Sequence, residues 1–151
     1  MKDWITLAVS SAVALLAAYY SARWAVSGVF REKWWERKEK AYGDIINALH
    51  DIIRYLEIEA DAYRRHEESE HPKRKQFADS YSEAYWQVKR ATDIGAFVIS
   101  KRAADALLTL QSRPKLDFGD GPPWELYDEE ADHYRTALAE LKVAAVADLK
   151  V

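Results

Sequence analysis

Four histidines, His50, His66, His71 and His133, are the first residues to weigh for chemistry. The stretch HEESEH from His66 to His71 looks like the H-E-x-x-H of a zinc protease, but its histidines stand five apart. Five residues leave a helix about 140° past a full turn, so the two imidazoles lose the shared face of an i, i+4 pair. Two Glu-x-x-His pairs, Glu68–His71 and Glu130–His133, have the ligand spacing of di-iron bundles. Such bundles also need two inward-facing Glu. None stands out here, and Glu68 sits in a solvated charge run beside Pro72. The sequence predicts no metal site and no cofactor. GDG lacks the Lys-Ser/Thr of a phosphate loop and runs into prolines, and no nucleophile elbow is present. No enzymatic activity is expected. His50, in ALHDII, reads as a hydrogen-bonded histidine at a core edge, with a pH-sensing or ligand-contacting role as the alternative.

Anion chemistry is the second prospect. Basic clusters occur at Arg64-Arg65, Lys73-Arg74-Lys75, Lys89-Arg90 and Lys101-Arg102. Each reads first as a solvated helix face or terminus. Several could converge in an oligomer around an anionic ligand. Lys101 and Arg102, at the start of a helix, would add free backbone N–H groups. Lys73, Arg74, Lys101 and Arg102 are therefore the candidate ligand contacts. The net charge of −3 does not fit a general nucleic-acid binder. The absence of cysteine agrees with a reducing compartment.

The elements that must carry these residues begin with Trp4 to Ala22, 19 residues without a charge. As a helix this run covers about 28 Å, close to a bilayer core. Trp4 marks one end; Tyr19, Tyr20 and Trp24 mark the other. The rival readings are a buried helix of a soluble domain and a cleaved signal peptide, whose charged start would be thin here. Arg23, Arg31, Lys33, Arg37, Lys38 and Lys40 follow the span, whereas Lys2 precedes it beside Asp3. This asymmetry predicts an outside N-terminus and a cytoplasmic C-terminal part. Trp34 and Trp35, inside a run of alternating charge, suit a headgroup layer. The predicted membrane-interface set is Trp4, Arg23, Trp24, Arg31, Lys33, Trp34, Trp35, Arg37 and Lys38, with Arg23 snorkelling.

Within the span, Thr6, Ser10, Ala14, Ala17, Ser21, Ala25 and Gly28 are all small, at steps of 4, 4, 3, 4, 4 and 3. That repeat follows one face of a straight or slightly right-handed helix. Small faces let membrane helices approach closely, so this stripe is the expected pore or helix-packing surface.

After the span, Ile45, Ile46, Leu49, Ile52, Ile53, Leu56, Ala60 and Tyr63 recur at helical spacing. No proline falls between residue 4 and His71, so one helix is expected to continue from the span. Phe77, Tyr81, Ala84, Tyr85, Val88 and Ala91 mark another helix, weakened at Gly95. AFVI fits either an extended or a helical segment. Ser100 is a candidate N-cap for a helix carrying Ala103, Ala104, Leu107, Leu108 and Leu110. LDFGDGPPW is a loop, and Pro122 or Pro123 opens the last helix, whose acidic first turns suit its positive end. Its predicted buried face is Tyr127, Ala131, Tyr134, Leu138, Leu141, Ala145 and Leu149. The fold class is all-α: a transmembrane helix in 1–30, and a cytosolic bundle of about four helices in 31–151.

The stretch WWERKEKAYGDIINALHDI, with RATDIGAFVIS further on, resembles a recurrent family of small bacterial membrane-anchored proteins. The resemblance covers most of residues 31–100 and implies a helical cytosolic domain behind one inner-membrane span. It supplies no catalytic residue. The layout is also similar to small channel-forming membrane effectors of anti-phage defence of the Hailong type. That similarity implies a channel held or released by a nucleotide signal. The small stripe and the long helix joining span to bundle point to a homo-oligomeric pore that senses a ligand, a nucleotide or oligonucleotide, with membrane lipid, further copies of the chain and a cognate signalling enzyme as the expected partners. The alternative is a membrane-tethered helical scaffold that presents its bundle to a protein.

Overall fold

The computed structural model describes the backbone of residues 3–65, 74–114 and 121–150, with side chains throughout except in 3–15, 22–29 and at 96. Among the described residues the regular structure is all helical: α1 (Asp3–Arg64), α2 (Arg74–Ile94), a 3-10 turn (Gly95–Phe97), α3 (Lys101–Gln111) and α4 (Pro123–Asp148). The all-α expectation with about four helices holds. His66, Glu68, His71 and Lys73 lie outside the described residues.

The chain divides into two compact units, one ending at Arg37 and one beginning at Lys38. In the first, Leu16, Tyr19 and Tyr20 are exposed. The Tyr19 and Tyr20 rings meet edge to face at 5.8 Å, and Ser21 Oγ donates to the Ala18 carbonyl at 3.0 Å. Ala17 and Ser21 are exposed, as are Arg31, Lys33, Trp34, Trp35 and Arg37. Among the described residues no helix is long and apolar enough to cross a membrane. The predicted span lies largely outside the described side chains, as do Trp4, Thr6, Ser10, Ala14, Arg23, Trp24, Ala25 and Gly28.

The second unit is a bundle. From α1 it buries Tyr42, Ile45, Ala48, Leu49, Ile52, Ile53, Leu56 and Ala60, the three-and-four spacing of a helix with one apolar face. α4 answers with Ala131, Tyr134, Ala137, Leu138, Leu141, Ala144 and Ala145, and α3 with Ala103, Leu107 and Leu110. Full burial of a Leu or Ile is worth about 1.5–3 kcal/mol, so Leu49, Ile52, Leu107 and Leu141, each essentially sealed, anchor the core. Three ion pairs fix α1 against α4: Lys38–Asp148, Glu57–Arg135 and Arg64–Asp128. Numbers rise along α1 as they fall along α4, so the two helices run antiparallel.

The termini of the helices follow their sequence signals. Ser100 Oγ accepts from Ala103 N at 3.3 Å and caps α3, and Pro123 opens α4. AFVI forms neither a strand nor a regular helix. Gly95 O accepts from Val98 N at 3.0 Å and Ile99 N at 2.9 Å, closing a tight turn that returns the buried Ile99 to the core. Gly95 permits this approach, because a Cβ there would stand 3.1 Å from Ile99 Cδ1.

Several positions depart from their expectations. His50 is exposed on α1 and does not edge the core. Tyr63, placed on the buried stripe, is 41% exposed. Lys38, expected at headgroup level, donates to Asp148 Oδ1 at 2.8 Å. That carboxylate is also held by Tyr42 Oη at 3.0 Å. Desolvation of the lysine is offset by a partner whose position is already fixed.

A candidate ligand groove lined by tyrosines

Tyrosines from three helices converge on one side of the bundle. A cavity of about 710 Å³ lies between them, lined by Tyr55 and Leu56 of α1, Tyr81, Tyr85 and Lys89 of α2, and Tyr127, Glu130 and Tyr134 of α4; Leu110, Gln111, Arg113 and Pro114 close its third side. This size is in the range of small-molecule sites. The helical periods explain the convergence. Tyr81 and Tyr85 are one turn apart on α2, and Tyr127 and Tyr134 two turns apart on α4, so each pair shares a face.

The rings make two sets of contacts, one from Tyr55 through Tyr81 and Tyr85 to Trp86 and one between Tyr63 and Tyr127. Tyr55 and Tyr81 approach to 4.5 Å between centroids. Tyr81 and Tyr85 stack at 6.3 Å, and Tyr63 stacks on Tyr127 at 5.6 Å. Trp86 meets Tyr85 edge-on at 5.9 Å. Lys89 Nζ stands 5.0 Å above the Trp86 ring, and Arg113 Cζ 5.9 Å from that of Tyr134. These are cation–π distances.

Arg113 is positioned from three directions. Nε donates to the Leu110 carbonyl at 3.1 Å, and the two terminal nitrogens reach Glu130 at 3.1 and 3.4 Å. The groove thus holds a fixed, half-buried guanidinium and one exposed ammonium.

Phenols are neutral near pH 7, and burial extends that range upward for four of these. It pushes Tyr55 and Tyr81 above the usual tyrosine range, with Glu59 adding to the shift at Tyr55 and Glu130 at Tyr81. Tyr127 is pushed up to about 12, by burial and then by Tyr63 and Tyr55. Tyr134 is raised further, by burial and then by Tyr81 and Glu130. Near neutral pH the site presents flat apolar faces edged by O–H groups, which both donate and accept. Ser82 adds a hydroxyl and Gln111 an amide, whose Nε2 donates to Thr92 Oγ1 at 2.8 Å. Such a wall can stack a heterocycle, hydrogen-bond its edge and place an attached anion near Lys89, Arg113 being held by Glu130.

The expected ligand contacts lie elsewhere. Arg74 is bound to Glu59: Nε donates to Oε1 at 3.1 Å and Nη2 to Oε2 at 2.7 Å. Glu59 is 2% exposed, so this guanidinium is committed to neutralising a buried carboxylate. Lys101 and Arg102 are exposed at the start of α3 and line neither this cavity nor a smaller one of about 200 Å³ between α1 and α2. Glu130 of the Glu130–His133 pair is taken by Arg113, and His133 faces Glu129 at 3.9 Å. Among the described residues no three metal-ligating side chains converge.

The sequence carried a signal for part of this. Tyr81, Tyr85, Tyr127 and Tyr134 fall on predicted apolar stripes, and such an excess of tyrosine over leucine marks a face that is half wet. Glu59 also stood on the α1 stripe, three residues after Leu56, where a lone carboxylate demands a cation. No family model, curated protein or solved structure matches the chain.

Proposed function

We propose that this chain is a membrane-anchored receptor whose helical bundle binds a nucleotide or short oligonucleotide in the tyrosine-lined groove. The observation that carries the reading is the array of tyrosine rings around a cavity of about 710 Å³, with Lys89 at its wall. Base stacking on aromatic rings contributes about 1–3 kcal/mol per base and tolerates different bases. A nearby cation answers the phosphate.

The anchor is the uncharged run from Trp4 to Ala22, with its aromatic ends and the basic residues after it. The positive flank supports a cytoplasmic bundle at the bacterial inner membrane. The stripe Thr6, Ser10, Ala14, Ala17, Ser21, Ala25 and Gly28 supports self-association of the span into a pore. In that arrangement a nucleotide signal made by a partner enzyme sets the pore's state, as in an anti-phage effector. A second reading, a scaffold for a protein partner, is favoured by Val143 and Val146, 52% and 68% exposed on α4.

Titration of the full chain in nanodiscs with a panel of mononucleotides and oligonucleotides tests the receptor. Tyr85 is 37% exposed, so Tyr85→Ala preserves the fold while removing a stacking surface. The variant should bind at least about tenfold more weakly, the loss of one stacked base. Equal affinity of variant and parent, or no binding by either, defeats the receptor reading. Oligomer mass and ion flux in liposomes then separate pore from scaffold.

A further inference from the structure

Phe97 is the most exposed large apolar side chain among the described residues, at 78%, and Ile94 beside it is 50% exposed. They stand on a turn that is tied down on both sides. Val98 N and Ile99 N bond back to Gly95 O, Ile99 is buried, and Ser100 N donates to Tyr42 Oη at 3.0 Å. A turn this well held presents its phenyl ring outward by construction.

The turn occupies the end of the bundle where α1 enters it. Tyr42 Oη lies 3.1 Å from Ser100 Oγ and 3.0 Å from Asp148 Oδ2, which brings together the entry of α1, the start of α3 and the close of α4. Exposed cations crowd that end: Lys40, Arg90, Lys101, Arg102 and Lys150. Asp148 is neutralised by Lys38, leaving Glu39, Asp44, Asp93 and Asp105 as the exposed acids against those five cations. This end is net positive in a chain whose net charge is −3. The opposite end, where α4 begins, carries Glu125, Asp128, Glu129, Glu130 and Asp132.

We infer that the Ile94–Phe97 turn is a membrane-docking tip, seating its apolar side chains among headgroups while the surrounding cations meet anionic lipid. An aromatic and an aliphatic side chain ringed by Lys and Arg match the composition of an anionic bilayer surface: apolar beneath, negative above. The inference rests on the membrane reading and adds to it a lipid contact made by the bundle itself.

The chain contains no cysteine, so Phe97→Cys can carry a single environment-sensitive fluorophore, with Val143→Cys as the control on an exposed face of α4. Each full-length variant is reconstituted into phosphatidylcholine vesicles with or without phosphatidylglycerol, and quenching by headgroup-proximal nitroxide lipid is measured. The probe at 97 should be quenched several-fold more than that at 143, and more in the anionic vesicles. Each cation is worth about fivefold in local residence, so adding Lys101→Glu and Arg102→Glu should bring quenching at 97 down to the control level. Equal quenching at 97 and 143 overturns the inference, as does quenching at 97 that ignores both lipid charge and charge reversal, the pattern of a protein-covered tip. Alkaline extraction of the same vesicles separates this from the span: a chain that resists extraction with an unquenched probe at 97 has a span and no docking tip. A chain that is extracted, yet whose probe is quenched in anionic vesicles before extraction, has the tip and no span.

Discussion

Removing the Arg74 guanidinium isolates one buried charge and gives a worked cost. Both carboxylate oxygens of Glu59 accept from Arg74, at 3.1 and 2.7 Å, and Glu59 itself is 2% exposed. Stripping one partner from a buried ion pair costs about 3–5 kcal/mol when the remaining charge stays sealed from water. The Arg74 side chain is 42% exposed, so water enters the space it leaves. The cost of Arg74→Ala therefore falls to about 2–3 kcal/mol. Arg74→Lys keeps the charge and loses the second hydrogen bond of the fork, recovering roughly half of that. The double variant Glu59→Leu with Arg74→Met removes both charges and should lie within about 1 kcal/mol of the parent. Chemical denaturation of the full chain in detergent, followed by circular dichroism, reads all three. Arg74→Ala within about 0.5 kcal/mol of the parent would show that Glu59 needs no counter-charge. A double variant as unstable as Arg74→Ala would show that the site requires polarity as such.

Tyr42→Phe keeps the ring in its pocket and strips the hydroxyl from Ser100 N and Asp148, so denaturation should report a loss of about 1–2 kcal/mol. Burial raises Tyr42 as well as Tyr55, Tyr81, Tyr127 and Tyr134 above the ordinary phenol value. The unfolded chain thus deprotonates first as pH rises; stability is intact below about pH 10 and falls as the pH climbs through the raised values. Phenolate absorbance against unfolding should show this, and Tyr127→Phe should lessen the loss between pH 10 and about 12, where Tyr127 titrates in the folded chain. Gly95→Ala brings a methyl to 3.1 Å from Ile99 Cδ1 and should cost about 1 kcal/mol. On an Ile99→Val background Cδ1 is gone while Cγ1, at 3.3 Å from that methyl, stays, so a double-mutant cycle should recover part of that.

Much of the bundle was legible because its signals are local. The α4 face from Tyr127 to Leu149, the Pro123 start and the Ser100 cap each depend on residues within a few turns of one another. What escaped depends on residues far apart in the chain. Arg74 read as one cation of a basic cluster, since nothing adjacent shows that Glu59, fifteen residues earlier, is buried beneath it. Lys38 read as a headgroup contact because Asp148 lies at the other end of the bundle. The tyrosines could be placed on apolar faces, but their meeting as a groove depends on how α1, α2 and α4 are rotated about their axes, which tertiary packing sets. AFVI remained open because a glycine-led turn of three residues carries no period.

Photo-crosslinking of the full chain in nanodiscs with an azido-nucleotide, followed by peptide mapping, tests the ligand groove most directly. The account predicts label on the peptides carrying Tyr81, Tyr85 and Tyr134, competed away by the unmodified nucleotide and reduced in Tyr85→Ala. Label confined to the exposed Lys101-Arg102 segment, or spread over the surface without competition, would contradict it.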